Sequence, residues 1–211
     1  MHRVDRGAEP GGLEALRVKY TPGWVAWKEG KAERPSDAKW QEYSDVLDER
    51  FHTLCGYCER NTKGQVDHFR PLSKFPADAY VWGNWVFACP TCNSAKSNHW
   101  PDTGFVDPCA GEDVFPLPED YFPFDLEDGS ILPARSLSEE EYERAETTIR
   151  LLQLNGLHHR KVRLQYLELL RGIWEVPPEK RDTMAAFVAD RTRMLSSLSR
   201  AFLAGEGYPV P

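Results

Sequence analysis

Two closely spaced cysteine pairs constrain this chain more than any other feature of its sequence. Cys55 and Cys58 form one pair, and Cys89 and Cys92 form the second, each with two residues between the cysteines. A two-residue gap lets both sulfurs of a tight turn, a zinc knuckle, bind one ion, and two knuckles complete a tetrahedral zinc site. Unrelated buried cysteines or a redox-active pair are the alternatives. The pattern predicts structural Zn²⁺, and the fifth cysteine, Cys109, is expected to be a small buried hydrophobic residue.

Composition limits the remaining possibilities. The chain has 211 residues, of which 41% are hydrophobic and 28% charged, as in an ordinary globular protein. No apolar run reaches the ~20 residues of a membrane span, and the first residues lack the apolar core of a secretory signal. A cytoplasmic location is therefore expected, where reduced thiols favour metal binding over disulfides.

The charge of the chain is negative overall but uneven along its length. The net charge of −7 argues against a free nucleic-acid binder. Residues 107–146 contain 13 acidic residues against two arginines, whereas residues 160–200 contain nine basic residues against five acidic ones. Because the acidity is concentrated in one segment, the rest of the chain can present basic surface.

The sequence pattern divides the chain into four regions and predicts an α+β fold. An N-terminal helical arm (residues 1–52) precedes a zinc-containing core (53–100), an irregular acidic segment (101–136) and a C-terminal helical region (137–211). Six prolines between residues 101 and 135 are the reason for expecting an irregular segment there. One short extended piece is expected at Tyr121–Phe124.

Four helices are predicted in the flanks of the core. Apolar residues at three-to-four spacing indicate a helix from about Ser36 to His52, with Ser36 before Asp37 as its N-cap. In the C-terminal region, Ser138 and Glu141 form a capping box that begins a helix. That helix is expected to end at Asn155-Gly156, and two more are expected over about His158–Trp174 and Glu179–Leu203.

The stretch between the cysteine pairs contains the candidate catalytic groups. Val66 and Phe69 fit a half-buried strand, with Asp67 and His68 between them. Asp67 and Asn93, which follows the last cysteine of the second pair, are oxygen donors for one hard cation such as Mg²⁺. His68 is a candidate base for activating water, with a structural histidine as the alternative.

These residues resemble the zinc-knuckle form of the HNH (ββα-metal) endonucleases, from Cys55 to Lys96. The resemblance implies a zinc-stapled hairpin and one helix that hold a single catalytic ion, Mg²⁺ or Mn²⁺. It implies that His68 is the general base and that Asp67 and Asn93 are ligands of that ion. Asn84 would brace the loop between the strands, although a plain turn residue is the alternative. Asn93 occupies the position of the last His in the family name HNH, where many members carry Asn.

The resemblance implies hydrolysis of phosphodiester bonds in nucleic acid, DNA in preference to RNA, with 5′-phosphate and 3′-hydroxyl ends. Arg70, Lys74 and Lys96 are candidates for binding flanking phosphates, with solvated surface charge as the alternative. Two other functions stay open: a non-catalytic zinc module that binds nucleic acid or protein, and an HNH-type ribonuclease. His158 and His159 are adjacent on a predicted helix and diverge by ~100°, so a cap or surface role is expected.

The flanks are similar to the HNH proteins of Septu-type antiphage systems and their retron-associated relatives. This looser similarity rests on the start Met1-His2-Arg3-Val4, on Glu59 after the first knuckle, and on the stretch from Ala145 to Arg160. It implies an effector of antiphage defence that acts with an ABC-type ATPase. The acidic segment and the C-terminal helices would then be docking surface for that partner.

Overall fold

The computed structural model describes residues 1–36, 38–111 and 113–209 and has a mixed helix-and-strand fold. Within these residues, the structure contains seven α-helices and one two-stranded antiparallel sheet. The helices are α1 (Leu13–Lys28), α2 (Ser44–Arg50), α3 (Pro90–Lys96), α4 (Glu139–Leu151), α5 (Leu157–Trp174), α6 (Pro178–Ala189) and α7 (Ser196–Gly205). The strands are β1 (Gln65–His68) and β2 (Trp85–Ala88). The predicted α+β class is confirmed.

The hairpin and α3 pack against the larger hydrophobic core, to which β2 and Cys92 of α3 contribute. β1 pairs with β2 so that Asp67 is opposite Val86 and His68 is opposite Trp85. All four residues of β2 are buried, which fits its uninterrupted apolar sequence. α3 begins with Pro90 at its first position, where a missing N–H has no cost, and the Cys89 sulfur caps it by accepting the Cys92 N–H at 3.3 Å. The zinc knuckle and the start of α3 are therefore one structural unit.

A second, smaller core joins α5, α6 and α7, and Phe124 packs against both cores. Within the described part of the acidic segment, regular structure is limited to a 3₁₀ turn at Pro118–Tyr121 and a single bridge between Phe124 and Ile131. The extended piece expected at Tyr121–Phe124 is thus reduced to that bridge. Side chains also help to fix the segment: the Asn155 amide pairs with both the N–H and the carbonyl of Ile131, at 2.9 and 2.8 Å.

The prediction of one helix from Ser36 to His52 is wrong in extent. A 3₁₀ turn covers Lys39–Tyr43 and α2 begins only at Ser44, while the proposed cap lies beside Asp37, which is outside the described residues. Packing explains the difference, because Trp40 turns in against His68, with ring centroids 4.6 Å apart. The separate helix α1 was not predicted.

The C-terminal region contains two confirmed predictions, the capping box and the helix over about His158–Trp174, which is α5, and one wrong prediction. Ser138 and Glu141 form the expected capping box at the start of α4. The single helix expected over Glu179–Leu203 is two helices, because the chain leaves α6 at Asp190 and Leu195 adopts a left-handed conformation (φ 55°). Buried Leu195 donates its N–H to the Glu59 carbonyl at 3.0 Å, and this contact with the first zinc knuckle replaces a helical hydrogen bond.

No helix among the described residues is both long and apolar enough to cross a lipid bilayer.

Candidate functional site

The four predicted cysteines converge on one point. Their sulfurs all lie within 4.8 Å of one another, and the Cys58 and Cys89 sulfurs are 3.8 Å apart. Zinc–sulfur bonds of about 2.3 Å in a tetrahedron require sulfur–sulfur distances of roughly 3.8 Å. Hydrogen bonding from the Cys55 thiol lowers the pKa of Cys89 to about 6, which favours a thiolate at neutral pH. The cluster fits Zn²⁺, and Cys109 is a free cysteine outside it.

Two cationic or hydrogen-bonding side chains lie against the sulfurs, and sequence reasoning missed both. The Arg60 guanidinium is 4.0 Å from the Cys89 sulfur, and His159 Nε2 is 3.9 Å from the Cys92 sulfur. His159 is buried, so the expected cap or surface role is wrong for it. The exposed neighbour His158 contacts Arg60 instead. Donors of this kind offset the negative charge that thiolates bring to a zinc site.

Asp67 is buried and held from two sides. The Tyr57 hydroxyl donates to its Oδ2 at 2.5 Å, and the Lys96 ammonium donates to its Oδ1 at 3.0 Å. Burial raises the pKa of Asp67, and the neighbouring Lys96 charge opposes that shift. Each carboxylate oxygen accepts one of these bonds and keeps further lone-pair capacity for a ligand. Tyr57 was not predicted, although it lies between the cysteines of the first knuckle.

His68 has a defined tautomer. Its Nε2 lies 2.9 Å from the carbonyl oxygen of Ala79. Because a carbonyl oxygen can only accept, Nε2 must carry the proton, and Nδ1 of the neutral ring is then an acceptor. Burial lowers the pKa of His68 to about 4, so the ring is neutral near pH 7. The ring packs nearly perpendicular to the Trp40 ring, which helps to fix its orientation.

Asn84 joins the two ends of the loop between the strands. Its Oδ1 accepts the Arg70 N–H at 2.7 Å, and its Nδ2 donates to the Arg70 and Asp78 carbonyls at 3.1 and 3.2 Å. Ala79, whose carbonyl orients His68, directly follows Asp78. The amide geometry fits the bracing role that sequence reasoning expected of Asn84.

Asp67, His68 and Asn93 line a single groove of about 240 Å³. The Asn93 amide nitrogen donates to Gln65 Oε1 at 3.0 Å, which leaves the amide oxygen as the group able to bind a cation. One carboxylate and one amide oxygen beside an open groove fit a hard divalent ion that keeps several waters. The whole lining consists of Arg34, Trp40, Val66, Asp67, His68, Pro71, Leu72, Asn93, Ser97 and Asn98.

The three expected phosphate contacts are already engaged within the protein. Arg70 is 3.3 Å from Asp78 and lies over the Phe75 ring, and Lys74 donates to the Trp100 carbonyl at 2.8 Å. Lys96 is fully buried, so its burial does not fit a phosphate contact, and its ammonium group holds Asp67 instead.

Residues 55–99 match the family model of the HNH endonuclease. The match extends from the first zinc knuckle to just beyond α3 and includes Asp67, His68 and Asn93. The chain therefore contains an HNH endonuclease domain, which combines the four-cysteine cluster with the hairpin and groove described above. A search of the curated proteins found no match to this chain.

Proposed function

We propose that this protein is a metal-dependent HNH endonuclease that hydrolyses phosphodiester bonds of nucleic acid, with DNA as the favoured substrate. The observation that carries the proposal is the hydrogen bond from His68 Nε2 to Ala79, at 2.9 Å, in the groove shared with Asp67 and Asn93. It leaves Nδ1 as an unprotonated acceptor, which is what a general base needs in order to take a proton from water. A histidine with a purely structural role would not require an open groove beside its ring, whereas a general base requires space for water and substrate.

Asp67 and Asn93 would hold the catalytic divalent ion, Mg²⁺ or Mn²⁺. When bound, such an ion stabilises negative charge on the phosphate and on the departing oxygen. Tyr57 and Lys96 orient the Asp67 carboxylate, and Gln65 orients the Asn93 amide. Asn84 would keep the Ala79 carbonyl in place, so that His68 points its Nδ1 in one direction.

The test compares His68→Ala with His99→Ala, which removes an exposed histidine outside the groove. Purified protein with Mg²⁺ or Mn²⁺ is given plasmid DNA, single-stranded DNA and RNA. We expect His68→Ala to lose about 100-fold or more of the cleavage rate, as for removal of a general base, and His99→Ala to keep it. Equal cleavage by His68→Ala and the wild type would falsify the catalytic assignment of His68, whereas a wild type that cleaves none of the three substrates would favour the non-catalytic zinc module. Cleavage of RNA alone would identify a ribonuclease.

The narrower proposal is that the enzyme is an antiphage effector partnered by an ABC-type ATPase. Its support is the Septu-like sequence of the flanks, together with two exposed apolar residues of the acidic segment, Val114 and Phe115. The test is whether an ATPase encoded beside this gene copurifies with the protein, and whether Phe115→Ser abolishes copurification. A gene neighbourhood without an ATPase would contradict the partnership and leave the nuclease proposal intact.

A further inference from the structure

Arg34 lines the groove that contains Asp67, His68 and Asn93. It lies outside residues 55–99, which match the HNH family model. It belongs to the connection between α1 and the 3₁₀ turn that begins at Lys39. No other lysine or arginine among the described residues contributes to that lining. The N-terminal arm therefore brings a positive charge to a groove formed mostly by the zinc-stapled core.

Two tryptophans of α1 hold the Arg34 side chain. Its guanidinium carbon lies 5.8 Å from the Trp24 ring centroid and 5.6 Å from that of Trp27, within the range of cation–π contacts. Trp24 in turn packs against Trp40, with centroids 5.3 Å apart, and Trp40 packs against His68. A chain of aromatic contacts thus links the arginine to the candidate base.

The contacts leave the hydrogen-bonding edge of Arg34 available. Across residues 1–36, 38–111 and 113–209, its guanidinium makes neither an ion pair nor a hydrogen bond, and its side chain is exposed. The two ring contacts do not satisfy the N–H donors of the guanidinium, which lie in its plane and match the two oxygens of a phosphate. Arg70, in contrast, is ion-paired with Asp78, and Lys74 and Lys96 donate hydrogen bonds within the protein.

We propose that Arg34 binds a backbone phosphate of the nucleic-acid substrate beside the bond that is cleaved. This inference rests on the proposed nuclease function, and it assigns substrate binding to a residue outside the HNH domain. The aromatic contacts pre-position the guanidinium, so little side-chain freedom is lost when the phosphate binds. The N-terminal arm and the zinc core together would then form the substrate site.

The experiment measures binding in a His68→Ala background, which keeps substrate intact in the presence of Mg²⁺. Fluorescently labelled duplex DNA, single-stranded DNA and RNA of one length are titrated at several salt concentrations. Arg34→Gln removes the charge but keeps a planar group for the tryptophans, and Arg34→Lys keeps the charge. Lys31→Ala is the matched control, because it removes one exposed charge from the same connection, where Lys31 pairs with Glu29.

We expect Arg34→Gln to bind about tenfold more weakly, the size of one lost charge-assisted contact. The slope of log affinity against log salt concentration should fall by about one on duplex DNA, while Arg34→Lys and Lys31→Ala keep the slope. Thermal unfolding of each variant checks that the fold is retained. An affinity and slope for Arg34→Gln equal to those for Lys31→Ala would overturn the Arg34 assignment alone. A parent that binds none of the three nucleic acids would overturn the proposed function as well.

Discussion

At the scale of single residues, the environment of His68 decides how the proposed enzyme responds to pH. Free histidine titrates near pH 6.5, whereas burial lowers the pKa of His68 to about 4. The neutral ring is the form that can accept a proton, and it persists until the pH approaches the lowered value. A base with this pKa stays active through mildly acidic solution.

We therefore predict that kcat/KM for cleavage stays nearly constant from about pH 8 down to about pH 5.5. The measurement is a pH profile at constant ionic strength, with the zinc content of the protein checked at each pH. Loss of half of the activity near pH 6.5 would indicate a fully solvated histidine and contradict the lowered pKa of His68.

A substitution of Lys96 tests how much its positive charge stabilises the buried Asp67 carboxylate. Its ammonium group is fully buried, 3.0 Å from Asp67 Oδ1 and 2.6 Å from the His68 carbonyl oxygen. Lys96→Met leaves the Asp67 carboxylate buried without its countercharge, which typically costs about 3–5 kcal/mol. We expect a loss of that order in the free energy of unfolding, measured in urea at pH 7. The double variant Asp67→Asn, Lys96→Met should recover part of it, and a loss from Lys96→Met below about 1 kcal/mol would mean that water reaches the pair.

At the scale of elements, α5 contributes to the zinc centre through His159. Its Nε2 lies 3.9 Å from the Cys92 sulfur and the side chain is buried. Removing an outer hydrogen bond of a metal site typically weakens metal binding 10- to 100-fold. We predict a loss of that size for His159→Ala, measured by competition with a chromophoric chelator. Lys161→Ala, an exposed change on the same helix, is the control, and equal zinc affinity in the two variants would refute the role of His159.

Local signals in the sequence predicted the elements that local chemistry controls. The cysteine pairs and the capping box at Ser138 each depend on residues three positions apart, and both were confirmed. The break between α6 and α7 depends on Leu195, whose N–H bonds to Glu59 far away in sequence. Helical periodicity alone cannot reveal such a contact, because the apolar spacing continues through it.

The same distinction applies within the candidate site. Asp67, His68 and Asn93 were recognisable because their types and order form a motif. Arg34 and His159 have no motif, since only the packing of α1 and α5 against the core brings them near the groove and the sulfurs. Lys96 matched the motif, but its burial became apparent only from the three-dimensional structure.

At the scale of the whole molecule, the zinc knuckles connect the core to the C-terminal helices. His159 of α5 contacts the Cys92 sulfur, and Glu59, beside Cys58, accepts the N–H of Ser197 in α7 at 3.0 Å. The Glu59 backbone carbonyl also accepts the N–H of Leu195. Loss of zinc should therefore loosen the starts of α5 and α7 together with the core.

Cys89→Ser tests this coupling, with Cys109→Ser as the matched control outside the cluster. We expect Cys89→Ser to release zinc and to raise amide hydrogen exchange in the core and in the first turns of α5 and α7. A structural zinc site contributes folding free energy to the elements around it. Cys109 is not a member of the four-cysteine cluster. Cys109→Ser should exchange like the wild type. If hydrogen exchange rises only within residues 55–96, the zinc site stabilises the core alone. The C-terminal helices would then be held by the contacts of Phe124 with both cores.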